Sequence, residues 1–226
     1  MSARELEIIR SGLPNSGDRT KGILPWGRIL ASKDFLFVTY SYFCYGYIAW
    51  IFYTWFFIYL STVRGMNLRE SSYFTALPFV TGAVCCSAGG ALSDFLTRRY
   101  GKRWGICGVA VFGIGLAAAF IASVSSVSSP RLAGVVLAGG AAALAFSQST
   151  FWSFTADIAG ESAGSVSGVM NMAAQLGGTL TATLTPVIAA RFGWGASFGV
   201  AAFLCGTGAL VWLLVDPNRQ LTPEGP

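Results

Sequence analysis

Six long apolar runs follow a polar stretch along this chain. In the first 34 residues, polar, charged and apolar side chains mix without a helical period, and Gly12, Pro14 and Gly17 interrupt them. The six runs contain no Lys, Arg, Asp or Glu, and each has about 20 residues or more, enough to cross roughly 30 Å of hydrocarbon as a helix. Their bounds are 35–60, 72–92, 104–124, 132–155, 165–190 and 196–215. The pattern predicts an all-α integral membrane protein with six transmembrane helices.

Composition argues against the alternative that these runs are buried core helices of a soluble protein. Apolar residues make up 54% of the 226 residues and charged residues 11%. A soluble domain carries about a quarter charged residues, so this chain has too few charges to cover a soluble surface. The same shortage excludes a disordered chain. The lipid bilayer is therefore the first partner that we expect.

The basic residues lie outside the apolar runs and are divided unequally between the two sides of the membrane. One side carries eleven and the other four. They are Arg4, Arg10, Arg19, Lys21, Arg28, Lys33, Arg98, Arg99, Lys102, Arg103 and Arg219 on one side, and Arg64, Arg69, Arg131 and Arg191 on the other. Because basic connections stay in the cytoplasm, we expect a multi-pass protein of the cell (inner or plasma) membrane with both termini cytoplasmic. The net charge of +5 thus reflects membrane flanks, and we expect no nucleic acid partner.

The residues that usually perform catalysis or bind metals are scarce. The chain has no His, which excludes His-based acid–base chemistry and His-ligated metals. Its five cysteines all lie inside apolar runs without a Cys-x-x-Cys pair, so we interpret them as packing residues, with metal or redox work as the minor alternative. We expect no enzyme activity, no catalytic residue, no metal and no cofactor.

A short internal repeat suggests two related halves. Gly89-Gly90-Ala91-Leu92 in the second run recurs 88 residues later as Gly177-Gly178-Thr179-Leu180 in the fifth run. With three helices per unit, the two copies cross the membrane in opposite directions, as in the inverted repeats of secondary transporters. We therefore expect two inverted three-helix repeats, at 35–124 and 132–215.

The connection after the second run carries a spaced set of glycine, acidic and basic residues. It reads Gly90-Ala-Leu-Ser-Asp94-Phe-Leu-Thr-Arg98-Arg99-Tyr-Gly101-Lys102-Arg103. This set resembles the loop of the major facilitator superfamily that acts as a conformational switch, whereas the plainer alternative is an ordinary basic loop. We expect the Asp94 carboxylate to bind the guanidinium of Arg98 or Arg99, or to meet the N-terminus of another helix.

A longer match covers the fourth and fifth runs. It begins with Ser149-Thr150-Phe151-Trp152, passes Asp157, Gly164 and Gly168-Val-Met-Asn171, and ends at Gln175-Leu-Gly177-Gly178. This resembles spans ten and eleven of the anion:cation symporter branch, which includes carriers for sugar acids, phthalate and glutamate-type anions. Ser-Thr stands here for a Gly-Pro, and Gln175 for a second Asn. The resemblance implies the C-terminal half of a twelve-helix fold.

Uncharged polar and aromatic residues are the candidates for substrate contact. Asn171 and Gln175 share a helical face, as do Ser149 and Trp152. In the first run, Tyr42 and Tyr45 lie too deep for an interfacial belt, and buried phenols need partners. We predict substrate binding by Tyr42, Tyr45, Ser149, Trp152, Asn171 and Gln175. The alternative role for such groups is to bridge neighbouring helices.

Three glycines form a stripe of small residues at the start of the fifth run. Gly160, Gly164 and Gly168 follow at intervals of four residues, which lets another helix approach closely. The family resemblance implies docking against the other half of the transporter, while packing within these six helices is the alternative.

The resemblance implies that two six-helix halves contribute different functions to one transporter. Residues 1–34 correspond to a cytoplasmic loop or linker, 35–216 to the six-helix bundle and 217–226 to a cytoplasmic tail. The expected function is half of a secondary transporter for a small organic anion, with a proton or cation coupled through the N-terminal six-helix half. The chain is then a fragment, a truncated product or a half-sized protein. The alternative is a transport-inactive sensor, regulator or truncated product, and a membrane enzyme is a distant third.

Overall fold

The computed structural model describes residues 26–219, apart from the side chains of Arg28 and Glu161. This part of the chain contains helices and no strand. The eight longer helices are α1 (Trp26–Ala31), α2 (Lys33–Thr54), α3 (Leu68–Tyr100), α4 (Val109–Ser123), α5 (Pro130–Phe146), α6 (Gln148–Ala159), α7 (Ala163–Phe192) and α8 (Trp194–Leu210). Shorter helical segments are Phe56–Ile58, Tyr59–Val63, Arg103–Gly108, Val124–Ser126, Gly160–Ser162 and Val211–Leu213. The predicted all-α class is confirmed.

Local sequence explains where the helices begin and end. The Asn67 side chain accepts a hydrogen bond from the Glu70 N–H at 2.8 Å, which caps the first turn of α3. Gly101 ends α3 and Gly193 ends α7, both at φ above +80°, in a region open to glycine. Arg98 and Arg99 lie in the last turn of α3, where cations favour the helix dipole.

The helices form an antiparallel bundle with two distinct ends. At one end, which we call the basic end, Lys102 pairs with Asp157 and the Asp34 carboxylate accepts the Asp216 N–H at 2.9 Å. Both limits of the described chain therefore meet at this end. At the opposite end, the distal end, the Arg64 guanidinium donates to the carbonyls of Val124 and Val127.

Five helical segments are long and apolar enough to cross a membrane by length and composition. They are Lys33–Thr54, Leu68–Tyr100, Arg103–Ser126, Pro130–Ala159 and Trp194–Leu213. The remaining predicted span corresponds to α7, which has 30 residues and is long enough but is not in this set. Its Asn, Gln, Ser and Thr residues lower its hydropathy.

Two long helix pairs dominate the packing, and both depend on the repeated glycines. α2 packs along α7, and α3 packs along α5. A Cβ at Gly89 of α3 would overlap the carbonyl of Phe146 of α5, and a Cβ at Gly177 of α7 would overlap the carbonyl of Phe43 of α2. The two copies of the repeat thus occupy corresponding positions in two corresponding interfaces, as an inverted pair of three-helix units requires.

The expected linker is only partly described. Residues 1–25 lie outside the described part of the chain, as do 220–226 of the expected tail. The interval 26–34 contains α1 and the start of α2, and Ser32 separates the two as the cap of α2. Helical structure therefore begins before the expected start of the bundle at residue 35.

Candidate functional site

An aromatic cluster lies where α2 meets α6. The rings of Tyr42 and Tyr45 stack with centroids 5.2 Å apart, and Phe151 contacts both of them at 4.7 Å and 5.6 Å. Trp152 stands edge-on to Tyr42 at 6.2 Å and keeps 42% of its surface exposed. Three of the predicted binding residues therefore belong to one cluster, in which the two phenols are buried and the indole of Trp152 is exposed.

The fourth span is broken beside this cluster. Ser147 separates α5 from α6, and its hydroxyl donates to the Leu144 carbonyl at 2.7 Å. The Thr150 hydroxyl in turn donates to the Ser147 carbonyl at 2.6 Å. These local bonds satisfy backbone groups freed by the break, and interrupted helices are common at transporter binding sites.

A groove of about 360 Å³ opens between α2, α3 and the broken helix. Gln148, the first residue after the break, lines it together with Tyr45 and Tyr53, and no charged residue is among its lining residues. The Gln148 side chain also lies next to the Tyr42 hydroxyl. Sequence reasoning missed Gln148, because only the break at Ser147 reveals that its amide faces a groove.

The predicted amides lie on an exposed face of α7. The side chain of Gln175 is exposed and that of Asn171 half-buried, and neither forms a hydrogen bond within the described part of the chain. They therefore do not bridge the six helices as described. Polar groups facing lipid are unfavourable, so this face suits a wet cavity or a partner bundle.

The aromatic cluster and the amides lie at the same depth in the bundle. The hydroxyls of Thr155 on α6 and Ser167 on α7 are 2.7 Å apart. Trp152 is three residues from Thr155 and Asn171 is four from Ser167, both toward the distal end. At 1.5 Å per residue, each lies about 5 Å further into the membrane. The structure shows no direct contact between Asn171 and Trp152.

Two other polar side chains sit in helix interfaces. Ser149 faces α3, where a Cβ at Gly90 would stand 3.6 Å from the Ser149 hydroxyl. That hydroxyl is buried and has no hydrogen-bond partner in the described residues. Tyr47 is 2% exposed with its phenol equally unpaired. The structure thus does not bring Ser149 to the groove with Gln148.

The expected ion pair of the basic loop is absent from the described structure. The Arg98 Nε donates to the backbone carbonyl of Asp94 at 3.3 Å, and the Asp94 carboxylate joins no salt bridge in residues 26–219. The pair of Asp94 with Arg98 or Arg99 is not formed in this conformation and stays a prediction, and the Arg98 guanidinium bonds to a backbone carbonyl one turn away. The loop is tied instead by Lys102, whose Nζ lies 2.9 Å from Asp157 Oδ2 at the end of α6.

The glycine stripe faces no other described element. A Cβ added at Gly160, Gly164 or Gly168 would meet nothing within 4 Å among the described residues. The positive φ of Gly160, +49°, shapes the turn between α6 and α7. Packing within the six helices, the alternative reading, therefore does not account for Gly164 and Gly168.

The described helices form a membrane-type bundle of two inverted three-helix units, with an uncharged groove beside the break at Ser147. The family model described as Major Facilitator Superfamily matches residues 6–182. The chain belongs to the major facilitator superfamily. The predicted superfamily is confirmed.

Curated relatives with similar sequences are anion and organic acid transporters by name. The "Probable sulfoacetate transporter" of Cupriavidus necator is 32% identical over 100% of this chain and 52% of its own length. The "Probable anion transporter 1, chloroplastic" of Oryza sativa subsp. japonica is 32% identical over 98% of this chain and 42% of its own length. The "Hexuronate transporter" of Bacillus subtilis is 29% identical over 88% of this chain and 47% of its own length. The chain spans about half the length of the curated relatives it matches.

Proposed function

We propose that the chain is the C-terminal six-helix half of a secondary transporter for a small organic anion of the sugar-acid or carboxylate class. The observation that carries this proposal is the break at Ser147, which places Gln148 and Trp152 beside Tyr42 and Tyr45. The exposed indole of Trp152, supported by the buried Tyr42 ring, can stack on a flat or ring-shaped solute, and amides bind hydroxyls and carboxylates. The names of the relatives, which include sulfoacetate and hexuronate transporters, support the anion class.

Charge for the anion and for coupling comes, in this proposal, from the N-terminal six-helix half. The groove has no basic residue to neutralise an anion and no carboxylate to carry a proton or bind a cation. Proton relays in membranes use Asp, Glu or His, and the chain has no His. Gly164 and Gly168 present a surface on which a helix of that half can pack closely.

The loop from Gly90 to Arg103 acts in this proposal as the conformational switch, through contacts with the N-terminal half. Asp94, Arg98 and Arg99 are exposed at the basic end, and Arg98 and Arg99 line an open depression with Phe95. The basic end faces the cytoplasm of a cell membrane. The meeting of Asp34 and Asp216 at this end supports the same side for both termini.

A chimera tests the binding role of Asn171. This chain replaces the matched half of the Cupriavidus necator relative, and uptake of radiolabelled sulfoacetate and hexuronates is measured in cells. Asn171→Ala leaves polar substrate groups unpaired, at about 1–3 kcal/mol. We expect apparent affinity to fall about 5- to 150-fold for the substrate that is transported.

Thr183→Ala is the matched control for this test. Thr183 lies exposed on the same helix, three turns nearer the distal end, and its hydroxyl bonds only to carbonyls of its own helix. We expect unchanged affinity for this variant. Unchanged affinity in Asn171→Ala, together with a lower unfolding temperature, would show that Asn171 is a structural bridge. A folded chimera without uptake of any anion tested would favour the transport-inactive alternative, a sensor or regulator.

A further inference from the structure

A second groove lies on the outside of the bundle at the basic end, separated from the aromatic cluster by Trp212, whose ring packs against Phe151 at 5.2 Å. It has a volume of about 370 Å³, within the roughly 300–1,000 Å³ of ligand sites. Segments Arg103–Gly108 and α4 form one wall, and Val211–Leu213 forms the other. Its lining residues are Arg103, Trp104, Cys107, Gly108, Val111, Phe112, Trp212 and Leu213.

The walls of this groove are apolar and exposed on the outside of the described bundle. Trp104 is 67% exposed, and Phe112 and Leu213 are exposed as well. Trp212 closes the floor, fully buried, and its indole N–H donates to the Ser41 hydroxyl at 3.0 Å. Because the indole N–H of Trp212 already has an acceptor, a long apolar chain can lie over Trp212 without leaving this N–H unpaired.

One cation stands at the mouth of the groove with unused donors. The Arg103 Nη2 donates to the Leu213 carbonyl at 3.1 Å, and its other guanidinium N–H groups bond to nothing in the described part of the chain. No acidic residue lines the groove. The nearby Asp34 carboxylate pairs with Arg219 at 3.4 Å, the Asp216 carboxylate accepts the Asn218 N–H at 3.1 Å, and neither forms a salt bridge with Arg103 among the described residues.

We propose that this groove binds an anionic phospholipid. The phosphate accepts hydrogen bonds from the free N–H groups of Arg103, since a guanidinium presents a fork that matches phosphate oxygens. One acyl chain lies between Trp104 and Leu213, over Trp212. A zwitterionic lipid fits the same apolar walls, but its own ammonium group competes with Arg103 for the phosphate. A free phosphate ion uses the cation and leaves the apolar groove empty.

Brominated lipids test the proposal, because bromine quenches the fluorescence of a nearby tryptophan. The purified protein is placed in nanodiscs of phosphatidylcholine with a minority of phosphatidylglycerol, and bromine is carried on the acyl chains of one lipid at a time. The chain has seven tryptophans, so the difference in quenching between the unchanged protein and Trp104→Phe isolates the contribution of Trp104. We expect phosphatidylglycerol to be several-fold enriched at Trp104 over its share of the bilayer.

Variants of Arg103 decide whether its charge causes the enrichment. A basic residue near the membrane surface contributes about 1 kcal/mol to binding of anionic lipid, so Arg103→Gln should lower the enrichment about five-fold. Arg103→Lys keeps the charge and should retain most of it. Arg99→Gln removes the same charge at the same end, in a separate depression beside Phe95, and should leave the enrichment unchanged.

Three results would overturn the proposal. The first is equal quenching by the two lipids, which means that any acyl chain fills the groove. The second is full enrichment in Arg103→Gln. The third is loss of the enrichment on addition of millimolar inorganic phosphate, which identifies a free-anion site. If Arg103→Gln does not elute as a single folded species, the comparison of the two lipids and the addition of phosphate still test the proposal in the unchanged chain.

Discussion

Two glycine-to-alanine changes on α7 should alter stability in opposite directions. A Cβ at Gly177 would overlap the Phe43 carbonyl and stand 2.8 Å from the Tyr47 nitrogen, both of them backbone atoms of α2. Backbone cannot move aside as a side chain can, so α2 and α7 must separate along their interface. Overpacking of this kind costs about 1–3 kcal/mol.

Gly168 is the matched position on the same helix. Nothing among the described residues lies within 4 Å of a Cβ there. Alanine is favoured over glycine in a helix by up to about 1 kcal/mol. We therefore expect Gly177→Ala to be less stable and Gly168→Ala equally or more stable than the unchanged chain, with a difference of about 1–3 kcal/mol between the two variants, because the helix-propensity gain is common to both.

Unfolding of the purified chain by sodium dodecyl sulfate in mixed micelles measures this difference, followed by near-ultraviolet circular dichroism of the packed aromatic rings. A Gly177→Ala variant as stable as Gly168→Ala would refute the close approach of α2 and α7. The same two variants in the twelve-helix chimera separate folding from docking. There Gly168→Ala should weaken assembly if the stripe receives the N-terminal half.

Three further predictions concern the distal end, the topology and the isolated chain. Arg64→Gln should lower the free energy of unfolding by at least about 2 kcal/mol in the same assay, because three charge-assisted hydrogen bonds are lost. The control is Arg131→Gln, because the exposed pair of Arg131 with Glu70 contributes only about 0–1 kcal/mol. Single cysteines introduced in 61–71 and 125–131 should react with an impermeant thiol reagent from outside the cell, and reaction only from the cytoplasm would reverse the topology. The purified chain alone in liposomes should show background uptake of sugar acids, and saturable uptake that excess substrate inhibits would refute the need for a second half.

The helices were predictable because each depends on the residues of its own segment of the sequence. Length without charge predicts a membrane span, and each predicted run coincides with one helix or with helical segments that follow one another directly. The ends were less accurate, since α3 continues from 92 to 100 through residues that can leave the hydrocarbon. The repeat was detectable because the same constraint, a glycine against a carbonyl, acts at Gly89 and at Gly177.

The site was harder to predict because it depends on contacts between distant residues. Tyr42, Tyr45 and Trp152 do meet, as an aromatic cluster permits. Gln148 was not predicted, since the break that exposes it comes from Ser147, a residue with nothing unusual in its sequence context. The ion pair between Lys102 and Asp157 was not predicted, because it joins residues that are far apart in the sequence.

The polar face of α7 has a consequence for how the protein is made. A helix that carries Asn171, Gln175 and several threonines gains less from entering lipid than its neighbours do. Its transfer from the translocon into the bilayer therefore depends on packing of its other face against α2, whose backbone it touches at Gly177, because that contact compensates for the weak apolar gain of the polar face. α2 is synthesised more than a hundred residues earlier, so it has to remain beside the exit site until α7 emerges. A change that loosens the α2–α7 interface then acts during biogenesis, and lowers the amount of protein inserted before any effect on transport is seen.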